Sequence, residues 1–361
     1  MKARVIVLVF INILYLCVVS ARPVEAAENS WTTKQPMPKA RSALGVAVVD
    51  GKIYVIGGSW LNTTEMYDPV TDTWTAKTPM PTARSYFGIA VYQNKIYVIG
   101  GQVGAQDPTG VNEVYDPFTD TWETKTSMPT SRKYLSANVV NGKIYLIGGC
   151  QYVPQSTNLN VNEVYDPAND SWTTRHPIPT GVEGYASAVV DNRIYIIEGM
   201  NSSLNQIYDP KTDTWSFGKQ SPAALNFAVA GATTGVAAPK RIYVIGGYPM
   251  QGMGASSSMV RVYDPEEDAW AEGTSMPTPR YSLGVAVVND VLYAIGGGTG
   301  WFTPETAQNE QYTPFGYVAV SQQPERFPAL LIVAASVVAI VAGSAGLLWF
   351  YRKRLRGAAK E

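Results

Sequence analysis

The run Lys52-Ile53-Tyr54-Val55-Ile56-Gly57-Gly58 decides the fold of this chain. It is apolar at four successive positions, as a strand covered on both faces must be. It ends in a glycine pair, which lets the backbone bend or approach a neighbour closely. The run returns at Ile96, Ile144, Ile194, Ile242 and Leu292, with spacings of 43, 48, 50, 48 and 50 residues. Only the copy at Ile194 alters the pair, to Glu198-Gly199. A period of that size marks stacked supersecondary units.

Each copy is followed by Tyr-Asp-Pro or a near match, at Tyr67, Tyr115, Tyr165, Tyr208, Tyr263 and Tyr312. A tryptophan comes next at Trp74, Trp122, Trp172, Trp215 and Trp270. In the first unit four runs rich in β-branched and aromatic residues (42–49, 52–57, 64–67 and 73–77) alternate with Gly, Pro and Asp turns, the signature of short antiparallel strands. A four-stranded sheet cannot cover both its faces alone, so Tyr and Trp are expected to pack between sheets. The sixth unit lacks its tryptophan and fourth strand. The missing piece is Ser30-Trp31-Thr32-Thr33, which with Met37-Pro38 matches Thr73-Trp74-Thr75-Ala76 with Met80-Pro81. The N-terminal strand therefore completes the last sheet and closes a ring, leaving no exposed sheet edge.

These motifs, over residues 30–314, resemble the kelch repeat. The resemblance implies an all-β, six-bladed propeller. Strand direction alternates, so the loops between second and third strands share one face with the links that lead into each first strand. Both chain ends leave by the opposite face. The long second-to-third loops (102–111, 150–161, 248–259 and 298–308) belong to the first, distal face, and loops on a rigid scaffold are where binding resides.

The termini read as targeting segments. Lys2 and Arg4, an apolar run to Val19 and small residues through Ala27 form a secretory signal over 1–27. Residues 329–351 are apolar without a charge and long enough to span a bilayer. The basic tail 352–361 places that end in the cytoplasm, with 315–328 as linker and the propeller at 28–314 outside the cell. Pro324-Glu325-Arg326-Phe327-Pro328, the apolar helix and Arg352-Lys353-Arg354 resemble the Pro-Glu-Phe type of archaeal surface-protein tail, although Arg326 interrupts that motif. Of 28 Lys+Arg and 29 Asp+Glu, 20 and 27 fall within 28–328, a net −7. An acidic ectodomain is a poor nucleic-acid binder. If Cys17 leaves with the signal, no intrachain disulfide is available to Cys150. Sequons stand at Asn62, Asn169 and Asn201.

Arg41, Arg84, Arg132 and Arg280 occupy one place in their repeats, just before the first strand. Val182 and Leu225 replace them in units four and five, next to Glu183 and Asn226. By resemblance the arginines line a central pocket, where guanidinium groups would grip carboxylates. Glu183 and Glu198 are the carboxylates best placed for acid–base chemistry. The Asp-Pro-x-x-Asp-x-Trp turns, such as Asp68 with Asp72, read as backbone caps rather than metal ligands. His176 is the sole histidine, so a galactose-oxidase-like copper site is excluded, and no cofactor or metal is expected. The expected function is a non-enzymatic binding module for a glycan or protein at the distal face. The alternatives are an enzyme resembling the kelch-fold sugar mutarotases, and a structural envelope component.

Overall fold

In the computed structural model the described residues are 27–319, except 106–107, 154, 200–201, 250–254 and 301–303, and except the side chains of 152–157. The expected signal segment, the linker beyond 319, the apolar segment 329–351, the basic tail and Asn201 lie outside them. Six four-stranded antiparallel sheets form, each in simple up-and-down order. Blade one is Gly45–Val49, Lys52–Ile56, Thr64–Asp68 and Thr73–Lys77. Blades two to five repeat it, with inner strands Gly88–Tyr92, Ser136–Val140, Ala186–Val190 and Val229–Ala232. Blade six has Gly284–Val288, Val291–Ile295 and Asn309–Thr313, and its outermost strand is the N-terminal Ser30–Lys34. Trp31 pairs opposite Tyr312, so the ring closes as the repeats required.

The core is divided into six clusters, one at each interface between neighbouring blades. Tyr54 and Ile56 of blade one pack on Ile96, Val98 and Tyr115 of blade two. Tyr293 and Ile295 of blade six pack on Ile53, Val55 and Tyr67 of blade one. The repeat tyrosines are fully buried. Tyr67, for example, touches Trp74 of its own blade at 5.0 Å and Tyr293 of the neighbouring blade at 6.1 Å. The tyrosine is thus the element that reaches between sheets, while the tryptophan indole covers it from outside. Each indole donates to a carbonyl just beyond the preceding blade, as Trp74 does to Gln35 and Trp31 to Thr274.

The inner strand starts later than expected, at Gly45 rather than residue 42. The reason is Ala43, which is left-handed at φ 53°. So are its counterparts Tyr86, Tyr134, Gly184, Phe227 and Ser282. Their amides do not join the blade ladders but run around the axis. The N–H of Ala43 donates to Ser282 O, Ser282 to Phe227, Phe227 to Gly184, Gly184 to Tyr134, Tyr134 to Tyr86 and Tyr86 to Ala43, over 2.7–3.1 Å. Six blades are thereby laced into one closed backbone circle at the distal end of the channel.

Both described ends leave on the opposite face. Gly316 N–H donates to Glu28 Oε2 at 2.5 Å, and Val318 N–H to Ala237 O at 2.7 Å. Ala237 lies in the connection between the first and second strands of blade five, a proximal loop.

Candidate binding face

Inside the backbone circle three rings fill the channel. Tyr86 meets Tyr134 at 4.5 Å between centroids, and Phe227 lies 5.3 Å from Tyr134 and 6.3 Å from Tyr86. Room for this plug comes from Gly184. A Cβ there would lie 2.9 Å from the Phe227 ring. Burial, then the neighbouring Tyr281 and Glu305, push the Tyr86 hydroxyl up to about 12. A cavity of about 260 Å³ extends along the inner strands from this level, lined by residues including Val46, Ile89, Asn138, Ser187, Ala230 and Val285. No charged side chain is among its lining residues. The Asn138 carboxamide oxygen accepts from Ser187 Oγ at 3.1 Å. The Asn138 amide nitrogen and Ser282 Oγ are buried without a partner.

The four repeat arginines are placed otherwise than the resemblance implied. Arg41, Arg84, Arg132 and Arg280 are fully buried inside their blades. They pair with Glu65 at 2.9 Å, Glu113 at 2.7 Å, Glu163, and Glu310 at 2.6 Å. Further N–H groups go to strand and loop carbonyls, as Arg84 does to Gly100 and Val111 at 2.9 and 2.8 Å, while Nε of Arg41, Arg84 and Arg132 and Nη1 of Arg41 are buried without a partner. Burial lowers each guanidinium's pKa and the facing carboxylate opposes that shift. A ring of guanidinium groups at the channel mouth is therefore corrected to four internal clamps. Each ties the distal edge of its blade's first strand to its third.

Glu198 is likewise drawn into structure. Arg261 of blade five stands where blades one, two, three and six carry the clamp glutamate, and Leu225 stands where they carry the arginine. Glu198, reaching across from blade four, supplies the missing charge at 3.0 Å from Arg261, with both side chains fully buried. It sits at φ 61°, in the glycine's left-handed conformation. Burial raises its pKa, while Arg261 and the Ser221 hydroxyl pull it back. Blade four carries no such charge pair: Val182 and Gln206 take the two places. Glu183 is buried beside the plug with Oε2 unpartnered, and Asn226, its counterpart in blade five, has both side-chain polar atoms unpartnered. Glu198 is thus committed to Arg261 and the Ser221 hydroxyl.

Around the plug the residues preceding the left-handed position form a rim: Ser42, Ser85, Lys133, Glu183, Asn226 and Tyr281. The long distal loops pair with it. Ser85 bridges Gln102, Lys133 bridges Cys150, Asn226 pairs with Tyr248 and Tyr281 bridges Gly298. Lys133 Nζ reaches Gln102 Oε1 at 2.9 Å, and Glu305 accepts from both Ser42 and Ser59 hydroxyls at 2.8 and 2.6 Å. An additional hairpin, Cys150–Val153 with Gln155–Asn158, rises from blade three. Sequence reasoning missed the plug, Asn138 and Arg261. An alignment of the third strands would have exposed Arg261 against Glu65, Glu113, Glu163 and Glu310.

A closed ring of six four-stranded antiparallel blades, sealed by its N-terminal strand, defines a β-propeller. Kelch family models match it in three stretches: the KLHDC2/KLHL20/DRC7 Kelch-repeats domain over 18–149, the FKB95, Kelch-repeats domain over 95–222, and the Kelch motif over 232–277. Between them the three models cover 18–222 and 232–277, so the chain carries kelch repeats. The solved structure of YjhT is similar, with a TM-score of 0.68 at 17% identity, over 77% of this chain and 96% of that one. That likeness concerns the fold.

Proposed function

We propose that this kelch propeller is a non-enzymatic recognition module displayed outside the cell, and that its distal face takes a protein or glycan ligand. Residues 1–27 export it, the apolar segment 329–351 holds it in the membrane, and the tail 352–361 stays in the cytoplasm. An archaeal cell surface suits the tail motif. Kelch propellers commonly serve as protein-binding modules, which agrees with this reading.

The observation that carries it is the asymmetry of elaboration. The extra hairpin at 150–158 and the second small pairing, Leu225–Asn226 with Tyr248–Pro249, both lie on the distal face. On the proximal face most first-to-second connections are two-residue turns, with 233–241 the one long exception among the described residues. A rigid disc with elaboration concentrated on one side is built to present that side. The plug and the uncharged cavity point away from an enzyme acting on an acidic sugar, which would draw on a charged group in the channel.

The test displays the full chain on liposomes and probes it with arrayed surface glycans and solubilised envelope proteins. Trimming 150–158 to a short turn, with thermal stability unchanged, is expected to abolish capture. Capture indifferent to that trimming, and to Lys133→Ala and Tyr281→Ala, overturns the distal-face reading.

A further inference from the structure

Among the described residues, large apolar side chains left in water are unevenly distributed. Among the described residues seven are exposed: Trp60, Val70, Phe118, Phe217, Val236, Phe315 and Val318. Trp60 belongs to a distal loop and Phe217 to an outer strand. The other five are proximal. Val70 and Phe118 cap the third-to-fourth turns of blades one and two, 85% and 97% exposed. Val236, 80% exposed, tips the long loop of blade five. Phe315 and Val318 lie in the segment that leaves blade six, at 47% and 67%.

Nothing in the fold requires these groups to be apolar. At the position shared by Val70, Phe118 and Phe315 the remaining three blades carry Ala168, Lys211 and Glu266. Val70 and Phe118 do nothing for their turns beyond donating a backbone N–H to Asp68 and Asp116, as Lys211 does to Asp209. The 233–239 loop is not loosely draped either. The Asp290 carboxylate accepts the N–H groups of Thr234, Val236, Ala237 and Ala238 at 2.6–3.1 Å, which holds Val236 outward on a fixed support. Two supports stand apart on a rigid ring, the turns of blades one and two and the blade-five loop with the exit segment bonded to it, and their five side chains spread over a surface rather than a point.

What lies against that plane is indicated by where the chain goes. It leaves the proximal face at Val318, and after ten intervening residues an uncharged apolar segment begins at Ala329. Ten residues reach at most about 35 Å.

We infer that the proximal face docks on the lipid surface, with Phe118, Val70, Val236, Phe315 and Val318 seated among the headgroups and upper acyl chains. The propeller then lies flat on the bilayer and its distal face looks straight outward. This rests on the membrane-anchored reading above. Contact is driven by apolar burial. The basic residues that begin the second strands, Lys52, Lys95 and Lys143, are already paired with Asp68, Asp116 and Asp166, so anionic lipid and low salt are not required.

The experiment uses the full chain reconstituted in phosphatidylcholine liposomes. Phe118→Cys, Val236→Cys and the distal reference Trp60→Cys are labelled with a polarity-sensitive fluorophore, and the unsubstituted protein sets the background. Lipids carrying a nitroxide near the headgroup are expected to quench the labels at 118 and 236 at least twofold more than that at 60, in high salt as in low. Equal quenching at all three sites overturns the docked face while leaving the anchor intact. Failure of the protein to float with the liposomes overturns the anchor itself, and the docked face falls with it. Phe118→Asp with Val236→Asp, read by a label at Val70→Cys, is expected to bring quenching at that label down to the level at 60 without loss of flotation.

Discussion

Tyr312 donates its hydroxyl to Asn29 Oδ1 at 2.6 Å, joining residues 283 positions apart. The same oxygen accepts the N–H of Thr274 at 2.8 Å. In the other blades an aspartate does this work: Asp72, for example, takes Tyr67 at 2.6 Å and Gln35 N–H at 2.9 Å. Asn29 adopts φ 51°, beside 54° for Asp72. The N-terminal segment thus brings a strand and also the clasp that fastens it to its neighbour.

Asn29→Ala leaves two donors without that acceptor and is expected to cost about 1–3 kcal/mol. Asn29→Asp is expected to hold stability at neutral pH, since five other blades use aspartate there. Denaturant midpoints of the full chain check both. An alanine variant as stable as the parent removes the clasp from the account of ring closure.

The buried clamps make a second case. Removing one partner strands a charge in the interior, so Glu163→Gln or Arg132→Met is expected to destabilise by about 3–5 kcal/mol. The double variant Arg132→Met with Glu163→Leu recovers most of that loss, because a well-packed apolar pair is about as good as a buried ion pair. A double-mutant cycle by thermal melting measures the coupling. Additive losses would contradict the pairing.

Glu198→Gly restores the repeat's glycine and yet is expected to destabilise, by about 3 kcal/mol or more, because Arg261 loses the carboxylate it faces. Adding Arg261→Glu and Leu225→Arg rebuilds the arrangement of blades one, two, three and six. The triple variant is expected to melt above the single one. If it melts below, the charge exchange is not what keeps Glu198 in place.

Acid should loosen the ring in a defined window. For Asp72 and Asp170 the tyrosine hydroxyl is the leading cause of a lowered carboxyl pKa; for Asp268 it is the Lys219 N–H. At Asp120, Asp213 and Asp290 burial pulls upward, but hydrogen bonds outweigh it and the net shift is again downward. A folded value below the unfolded one means stability that is full above the unfolded pKa of about 4 and lost as pH falls through the lower folded values. Melting temperature is expected to hold from neutral pH to about 5 and then fall progressively. Asp290→Asn lowers it at neutral pH, and its gap from the parent narrows in acid. A gap constant with pH removes Asp290 from that role.

Much of the ring was legible because each blade repeats the same local problem. Tyr67, Trp74, Asp72 and Gly57 recur at fixed offsets, and a residue that recurs reports what every blade needs. The closing strand was legible from the one unit that lacked a tryptophan. The arginines were recognisable as a set but not as clamps, because their glutamates lie in third strands some 24–31 residues onward. A side chain's charge does not say whether it faces a channel or a carboxylate. Glu198 looked chemical because it broke the pattern, and the pattern broken with it, at Leu225 and Arg261, lay in the next blade.

The sequence alone determined the number of blades, their strand order, the pairing of Trp31 beside Tyr312 and the face from which both ends depart. Each of these follows from local periodicity and from the alternation of strand direction. Only the tertiary structure decided that the channel is plugged by Tyr86, Tyr134 and Phe227, that the arginines point inward, and that Asn138 and Ser282 keep unpartnered polar atoms beside the cavity. Those outcomes depend on where six separate units converge on one axis, and contacts across that axis leave no period in the chain.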